Sequence, residues 1–266
     1  MSKNNANKAA CNRSLFALKR GLIMDLQEKL SKLQEIVYNS KNIVFFGGAG
    51  VSTESGLKDF RSRDGLYNEH YKYPPEEILS HDFFFRHTEE FYRFYRDKML
   101  LTPDIKPNAA HLWLARREKA GKLSRVITQN IDGLHQAAGS KRVLELHGTV
   151  HKNHCLKCGK FYDMDYIAQS NGVPHCDCGG VIKPDVVLYG ESLDEYTVSR
   201  SVRAIENADT LIVAGTSLTV YPAAGLIRYF GGDNLILINR DATAYDGQAD
   251  LIINHSVGRV LEQITI

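Results

Sequence analysis

Arg125–Gly148, RVITQNIDGLHQAAGSKRVLELHG, holds two short apolar β-runs, Arg125–Thr128 and Val143–Leu146, joined by a polar passage with helix-forming residues. Runs of this length and branching read as buried strands. Set side by side and parallel, they would deliver Gln129, Asn130 and Asp132 from one strand end and His147 from the next. In an open α/β sheet, that rim is where ligand groups collect. An imidazole there can take a proton near neutral pH, because its ordinary pKa is about 6.5. The plainer alternative makes His147 a satisfied strand-end histidine and lets Asn130 and Asp132 cap a short helix over Gly133–Ala138.

Upstream, Asp25–Asn39 carries apolar residues at Leu26, Leu30, Leu33, Ile36 and Val37, an amphipathic helical spacing. Asn42–Phe46 is another β-run and empties into Gly47-Gly48-Ala49-Gly50-Val51-Ser52-Thr53. A strand, a glycine turn and a Ser/Thr-led segment form a pattern that cradles a pyrophosphate on backbone N–H groups at a helix N-terminus. The match is partial, since Thr53 stands where a third glycine is expected. Asp59-Phe60-Arg61 follows, offering a flat apolar ring and a fixed cation for phosphate. Residues 63–106 show no sheet pattern and are rich in aromatics, so they read as a helical insertion with Asp82–Leu100 as its main helix.

Downstream, Thr210–Ala214 empties into Gly215-Thr216-Ser217, and Leu235–Ile238 into Asn239-Arg240-Asp241. Both turns could hold phosphate or ribose. Asp250–Ile253 is a last strand, and a helix runs from Val257. Six apolar runs alternating with helices predict a doubly wound parallel sheet of Rossmann type. The expected divisions are a flexible extension (1–24), the dinucleotide domain (25–62, 107–150 and 182–266), the insertion (63–106) and a metal module (151–181).

That module rests on Cys155-x-x-Cys158-Gly and Cys176-x-Cys178-Gly-Gly, two knuckles of a tetrahedral zinc site. The second knuckle has one spacer residue where two are usual, so His154 or His175 stands as a substitute ligand. Four protein ligands make the ion structural. It would hold a segment too small to keep a core of its own. The chain has 266 residues, 43% of them hydrophobic, and a formal charge of +2. That charge gives no case for nucleic acid, and no apolar run approaches the ~20 residues of a membrane span. Clustered cysteines fit a reducing, cytoplasmic setting, and a monomer is expected. Cys11 receives no role, and Met24 could be the functional start.

GGAGVSTESGLKDFRS (47–62), TQNIDGLHQAAG (128–139), ELHG (145–148), the paired cysteines, DVVLYGE (185–191), GTSL (215–218) and INR (238–240) resemble, in order, the sirtuin family of NAD-dependent protein deacylases. The resemblance implies NAD as co-substrate, one structural zinc ion held by Cys155, Cys158, Cys176 and Cys178, and acyl-lysine proteins or peptides as partners. It implies that Gly48, Ala49, Gly50, Thr53, Asp59, Phe60 and Arg61 line the cofactor loop. Gln129, Asn130, Ile131, Asp132 and His147 would surround the nicotinamide and its ribose. Gly215, Thr216, Ser217, Asn239 and Val257 would hold the adenosine half. Val187, Leu188, Tyr189, Gly190 and Glu191 would pair with substrate backbone.

It implies, too, that the acyl oxygen attacks the anomeric carbon as nicotinamide leaves. Asn130 and Asp132 would position the reacting groups and His147 would serve as general base. The products would be free lysine, nicotinamide and O-acetyl-ADP-ribose. Two departures stand out. Leu57-Lys58 replaces the family's isoleucine-proline, which leaves that loop less pre-ordered. Sirtuins that prefer acidic acyl groups carry tyrosine and, three residues on, arginine; here Tyr92 is followed at that offset by Tyr95, with Arg96 one further. Neutral acyl groups, acetyl first, are therefore expected. The competing readings are protein mono-ADP-ribosylation and a non-catalytic NAD-sensing scaffold.

Overall fold

The computed structural model describes residues 24–60, 65–102 and 104–265. Arg61, Cys11 and all but Met24 of the expected extension lie outside them.

Helix α1 (Leu26–Asn39) starts at a capping box in which Asp25 and Glu28 exchange side-chain and backbone bonds. All six apolar runs become strands of one sheet: β1 (Ile43–Gly47), β2 (Leu123–Thr128), β3 (Val143–Glu145) and, after the small-sheet strands β4 (Gly148–Cys155), β5 (Phe161–Tyr162) and β6 (Ile182–Val186), β7 (Thr210–Ala214), β8 (Asn234–Ile238) and β9 (Leu251–Ile253). Their order is β3-β2-β1-β7-β8-β9, with every neighbour parallel. The chain winds outward from β1 to β3 and from β7 to β9 on the other side. The winding therefore reverses between β1 and β7, and a crevice opens beyond their carboxyl ends.

Of the helices, α2 (Pro75–Ile78), α3 (His81–Arg86) and α4 (Thr88–Lys98) belong to the insertion. Helix α5 (Ala109–Lys119) precedes β2, α6 (Leu134–Ala137) follows it, and α7 (Met164–Gln169), α8 (Glu195–Glu206) and α9 (Val257–Leu261) complete the set. Leu33, Trp113, Leu114 and Val260 of α1, α5 and α9 pack on Phe45, Val126 and Ile236 on one face of the sheet. On the other face, Ile205 and the turns around Leu226 and Ile227 cover Val44, Phe46 and Val213. Each fully buried side chain of this size contributes roughly 1.5–3 kcal/mol.

The expected single helix over Asp82–Leu100 is two helices. His87 breaks it at φ −136°, and the Thr88 hydroxyl bonds back to the Phe84 carbonyl at 2.7 Å. The glycine turn leads into two short 3₁₀ turns, Ala49–Val51 and Thr53–Ser55, and not into an α-helix. The segment between β7 and β8 is likewise 3₁₀ over Ala223–Tyr229.

Strands β5, β4 and β6 form a separate antiparallel sheet in that order. Pro184 is tolerated in β6 because that strand is an edge. The insertion and this sheet share one core, where Phe83, Phe84, Phe91, Tyr92 and Tyr95 meet Val150, Tyr162, Ile167, Ile182 and Val186. The Tyr92 hydroxyl donates to the Ile182 carbonyl. Among the described residues, no helix is long and apolar enough to cross a membrane.

Candidate active site

The crevice at the reversal point is a cavity of about 490 Å³. Its walls gather Ala49, Gly50, Thr53, Asp59, Phe60, Gln129, Asn130, Ile131, Asp132, His147, Val187, Leu188, Tyr189, Gly190, Glu191, Gly215, Thr216, Ser217, Asn239 and Val257. Gly48 lies behind the wall, where an added Cβ would sit 2.8 Å from the Thr216 side chain.

Four amides of the glycine turn are already bonded within the protein. Gly48 and Gly50 donate to the Ala214 and Gly215 carbonyls at 3.2 and 2.8 Å, and Val51 and Ser52 to the Gly48 and Ala49 carbonyls at 3.0 Å each. The glycines serve close packing of two loops instead: a Cβ on Gly50 would meet the Gly215 Cα at 2.8 Å, and one on Gly215 would meet the Val51 nitrogen at 2.4 Å. Side chains add polarity to this wall. Gln129 donates to the Thr216 hydroxyl at 3.0 Å. Asn239 accepts the Thr216 amide at 2.9 Å. The Asn239 Nδ2 is buried with no partner among the described residues, a donor that a ribose hydroxyl could satisfy.

The loop after β2 holds the reactive groups. His147 Nδ1 donates to the Gln129 carbonyl at 2.9 Å, which fixes the tautomer and leaves Nε2 as a free base. Burial holds the imidazole below its usual range, partly opposed by that carbonyl, so it is neutral at neutral pH. Asp132 is bonded through both carboxylate oxygens. Its Oδ1 caps the α6 turn at the Leu134 amide, 2.9 Å away, while Oδ2 accepts the Ser52 hydroxyl at 2.7 Å. Asn130 Nδ2 donates to the same Ser52 oxygen at 3.0 Å.

Ser52 is thus a buried link between Asn130 and Asp132. Behind it, His111 Nδ1 accepts the Asn108 amide at 3.3 Å, which aims Nε2–H at Ser52 Oγ, 3.5 Å away. Burial pushes His111 down to about 4, and drives its neighbour His135 well below the usual range. Neither histidine stood out in the sequence. The only available signal was Asn108 followed three residues on by His111, an imidazole in the capping-box place.

On the opposite wall, Val187 N–H donates to the His147 carbonyl at 3.0 Å, and Tyr189 bonds through both backbone groups to Leu79 and His81. Glu191 accepts the Leu188 amide at 2.9 Å and the Lys183 ammonium at 3.0 Å. Arg96 points away from the cavity: its guanidinium holds Ile167, Ser170 and Gly172 of the cysteine module at 2.9, 2.7 and 2.7 Å. Tyr95 stands in the cavity wall in its place.

The sulfurs of Cys155, Cys158, Cys176 and Cys178 lie within 4.8 Å of one another. Two of the separations, Cys155–Cys178 and Cys158–Cys176, are 3.5 Å, far beyond a disulfide and close to the roughly 3.8 Å of thiolates around one tetrahedral zinc. Gly159 and Gly179 take left-handed φ of 72° and 80° in the knuckle turns. A Cβ on Gly180 would strike the Cys155 sulfur at 2.6 Å, so the single-spacer knuckle closes only with glycine there. His154 pairs with Asp185 at 2.8 Å and is no substitute ligand.

A Sir2 family model matches residues 48–222. A protein of Clostridium acetobutylicum named NAD-dependent protein deacetylase is 60% identical over 245 residues, covering 91% of this chain and 100% of its own. One of the same name from Clostridium perfringens is 57% identical, covering 90% and 99%. A solved Sir2 variant with a deacetylated p53 peptide and 3'-O-acetyl ADP ribose matches with a TM-score of 0.82 at 38% identity, over 88% of this chain and 96% of that one. A Sir2–p53 peptide–NAD+ structure matches at 0.79 and 39%, over 88% and 96%.

Proposed function

We infer the chemistry of this cleft from a plain premise: the chain belongs to the Sir2 family, and it is an NAD-dependent protein deacetylase. The cavity fits NAD by its donor set, with the buried unpartnered Asn239 amide and the paired glycine loops at one end and the His147 imidazole at the other. NAD, when bound, supplies an activated glycosidic carbon that accepts the acyl oxygen of an acetyl-lysine as nicotinamide departs.

The chain's residues do the rest. Asn130 and Asp132, tied through Ser52, hold the ribose and the departing amide. His147 Nε2 takes the proton of a ribose hydroxyl and so strengthens that oxygen as a nucleophile. Val187–Glu191 lines the peptide entrance. The free tautomer of His147 carries this assignment, because a base needs an unprotonated nitrogen facing the cavity. The Arg96 contacts favour neutral acyl groups, since that cation is spent on the module. Four unbridged thiols suit a cytoplasmic setting.

The test is incubation with acetyl-peptide and NAD, following nicotinamide and O-acetyl-ADP-ribose by mass spectrometry. His147→Ala should lower kcat by about 10²–10⁴-fold and leave ADP-ribose binding intact. Full turnover by that variant would sink the base assignment. Because burial lowers the imidazole pKa, the acid limb of kcat/KM should lie below about 6.5. Rate falls as the pH drops through the lowered pKa and the base is protonated. A mass gain on the target protein, without acyl loss, would instead mark ADP-ribosylation.

A further inference from the structure

A dinucleotide's pyrophosphate brings two negative charges into a cleft where several backbone amides are already bonded. The amides of Gly48, Gly50, Val51 and Ser52 already serve carbonyls, as does Gly215, which donates to Ile238 at 3.0 Å. Thr216 gives its amide to Asn239. The turns at Ala49–Val51 and Thr53–Ser55 are three residues each, too short for a useful helix dipole. Side chains of the wall can share that charge with the amides that remain.

Arg61 lies outside the described residues; of the described cations in the cavity wall, Lys58 and Lys98 both answer Glu69, at 2.6 and 3.4 Å. Arg240 is different. It follows Asn239 directly, and its Nη2 reaches across the cleft to the Thr53 hydroxyl at 3.4 Å. It has no carboxylate partner among the described residues, although Asp241 is its neighbour in the wall. We propose that Arg240 is a pyrophosphate-binding residue, its guanidinium spanning the cofactor cleft between the Asn239 loop and Thr53 and gripping the phosphate oxygens with its planar fork.

The proposal rests on the reading of the cleft as an NAD site and deepens it. A cation left without a carboxylate at the mouth of a crevice, 3.4 Å from a hydroxyl of the opposite loop, is poised for an anion that lies between them. The neighbouring Asn239 Nδ2, buried and unpartnered, marks where the adjoining ribose would lie.

The experiment is calorimetric titration of the full chain with ADP-ribose and with adenosine, alongside steady-state kinetics. Arg240→Ala should weaken ADP-ribose binding by roughly ten-fold or more, as expected for a lost charge-assisted hydrogen bond, and leave adenosine affinity unchanged. The same factor should appear in KM for NAD and not in kcat. Arg240→Lys should fall between, keeping charge without the fork. Wild-type ADP-ribose affinity in the alanine variant would overturn the proposal, as would equal losses for ADP-ribose and adenosine, which mean a loop distortion. A wild-type chain that bound no ADP-ribose would instead overturn the NAD reading of the cleft.

Discussion

On the Gly215 side of the cleft, position is set by main chain: six parallel strands, paired amides, and glycines pressed together at 2.4–2.8 Å from an added Cβ. On the Tyr189 side it is set by side chains and sulfur: the aromatic cluster around Tyr92, the Arg96 fork in three groups of the module, and four converging thiols. Backbone order is distributed, so no single side chain carries it. Side-chain order is concentrated, so one loss spreads. The loop from Gln129 to Asp132 lies on the seam. Strand β4 grips it from the module side through Val150 N–H on the Ile131 carbonyl and His151 Nε2 on the Asp132 carbonyl, both at 3.0 Å.

Removing the metal should break the two halves apart most completely. Folding coupled to zinc is worth on the order of 10 kcal/mol in small modules. Chelation, or Cys155→Ser, should therefore unfold residues 148–186 and release Ile131 and Asp132. Deacetylation should fall below detection while ADP-ribose affinity changes by no more than about three-fold, since the parallel sheet and its paired loops are bonded without the module. Hydrogen exchange would show the difference directly, with fast amides in β4 and β6 and protected ones in β1 and β7. Loss of ADP-ribose binding together with activity would mean that the main-chain half is not self-sufficient.

A smaller effect should come from acid, and from the backbone side of the seam. His111 and His135 are buried as neutral rings, with His111 held at about 4 chiefly by burial. Unfolded imidazoles titrate near 6.5, so below that pH the unfolded chain binds the extra protons. Their stabilising contribution is complete above about pH 6.5 and is lost as the pH falls toward 4. By then His111 alone accounts for about 3 kcal/mol. Thermal unfolding at pH 5 and 7.5 should show the slope. His135→Phe, which fills the same space without a titrating nitrogen, should flatten it. An unchanged slope would place the acid sensitivity on the module.

This division also explains what could be read in advance. Buried parallel strands are nearly all apolar, so the runs at Ile43–Phe46, Thr210–Ala214 and Leu235–Ile238 declare themselves without knowledge of their neighbours. The cysteine spacings and the polar rim at Gln129–Asp132 are local patterns of the same kind. What stayed hidden depends on partners distant in sequence. Whether the glycine-turn amides are free depends on Ala214 and Gly215. The direction of the Ser52 hydroxyl depends on Asp132, and the destination of Arg96 depends on a turn at 170–172. The break at His87 turns on one threonine hydroxyl competing for one carbonyl, an alternative the helical periodicity of Asp82–Leu100 does not register.

The finest contrast concerns Lys58, where the family pattern has proline. The loop that proline would have stiffened is held by a side chain instead, with Lys58 Nζ on Glu69 at 2.6 Å. The lysines and Tyr71 around Glu69 keep its carboxyl at about 2, Lys58 being the largest influence, so that carboxylate is charged at every working pH. Both partners are solvent-accessible, and surface pairs are worth little. Lys58→Ala should therefore raise KM for NAD by less than about three-fold and shift Tm by less than about 2 °C. Molar salt should do the same to the wild type and nothing further to the variant. Lys58→Pro loses the same ion pair but narrows the loop's unbound ensemble, and the Lys58 amide has no hydrogen bond among the described residues to lose. KM for the proline variant should then return to the wild-type value or below. A proline variant as weak as the alanine one would show that Glu69 orients the loop, so that even this edge of the cofactor side is ordered by side chains.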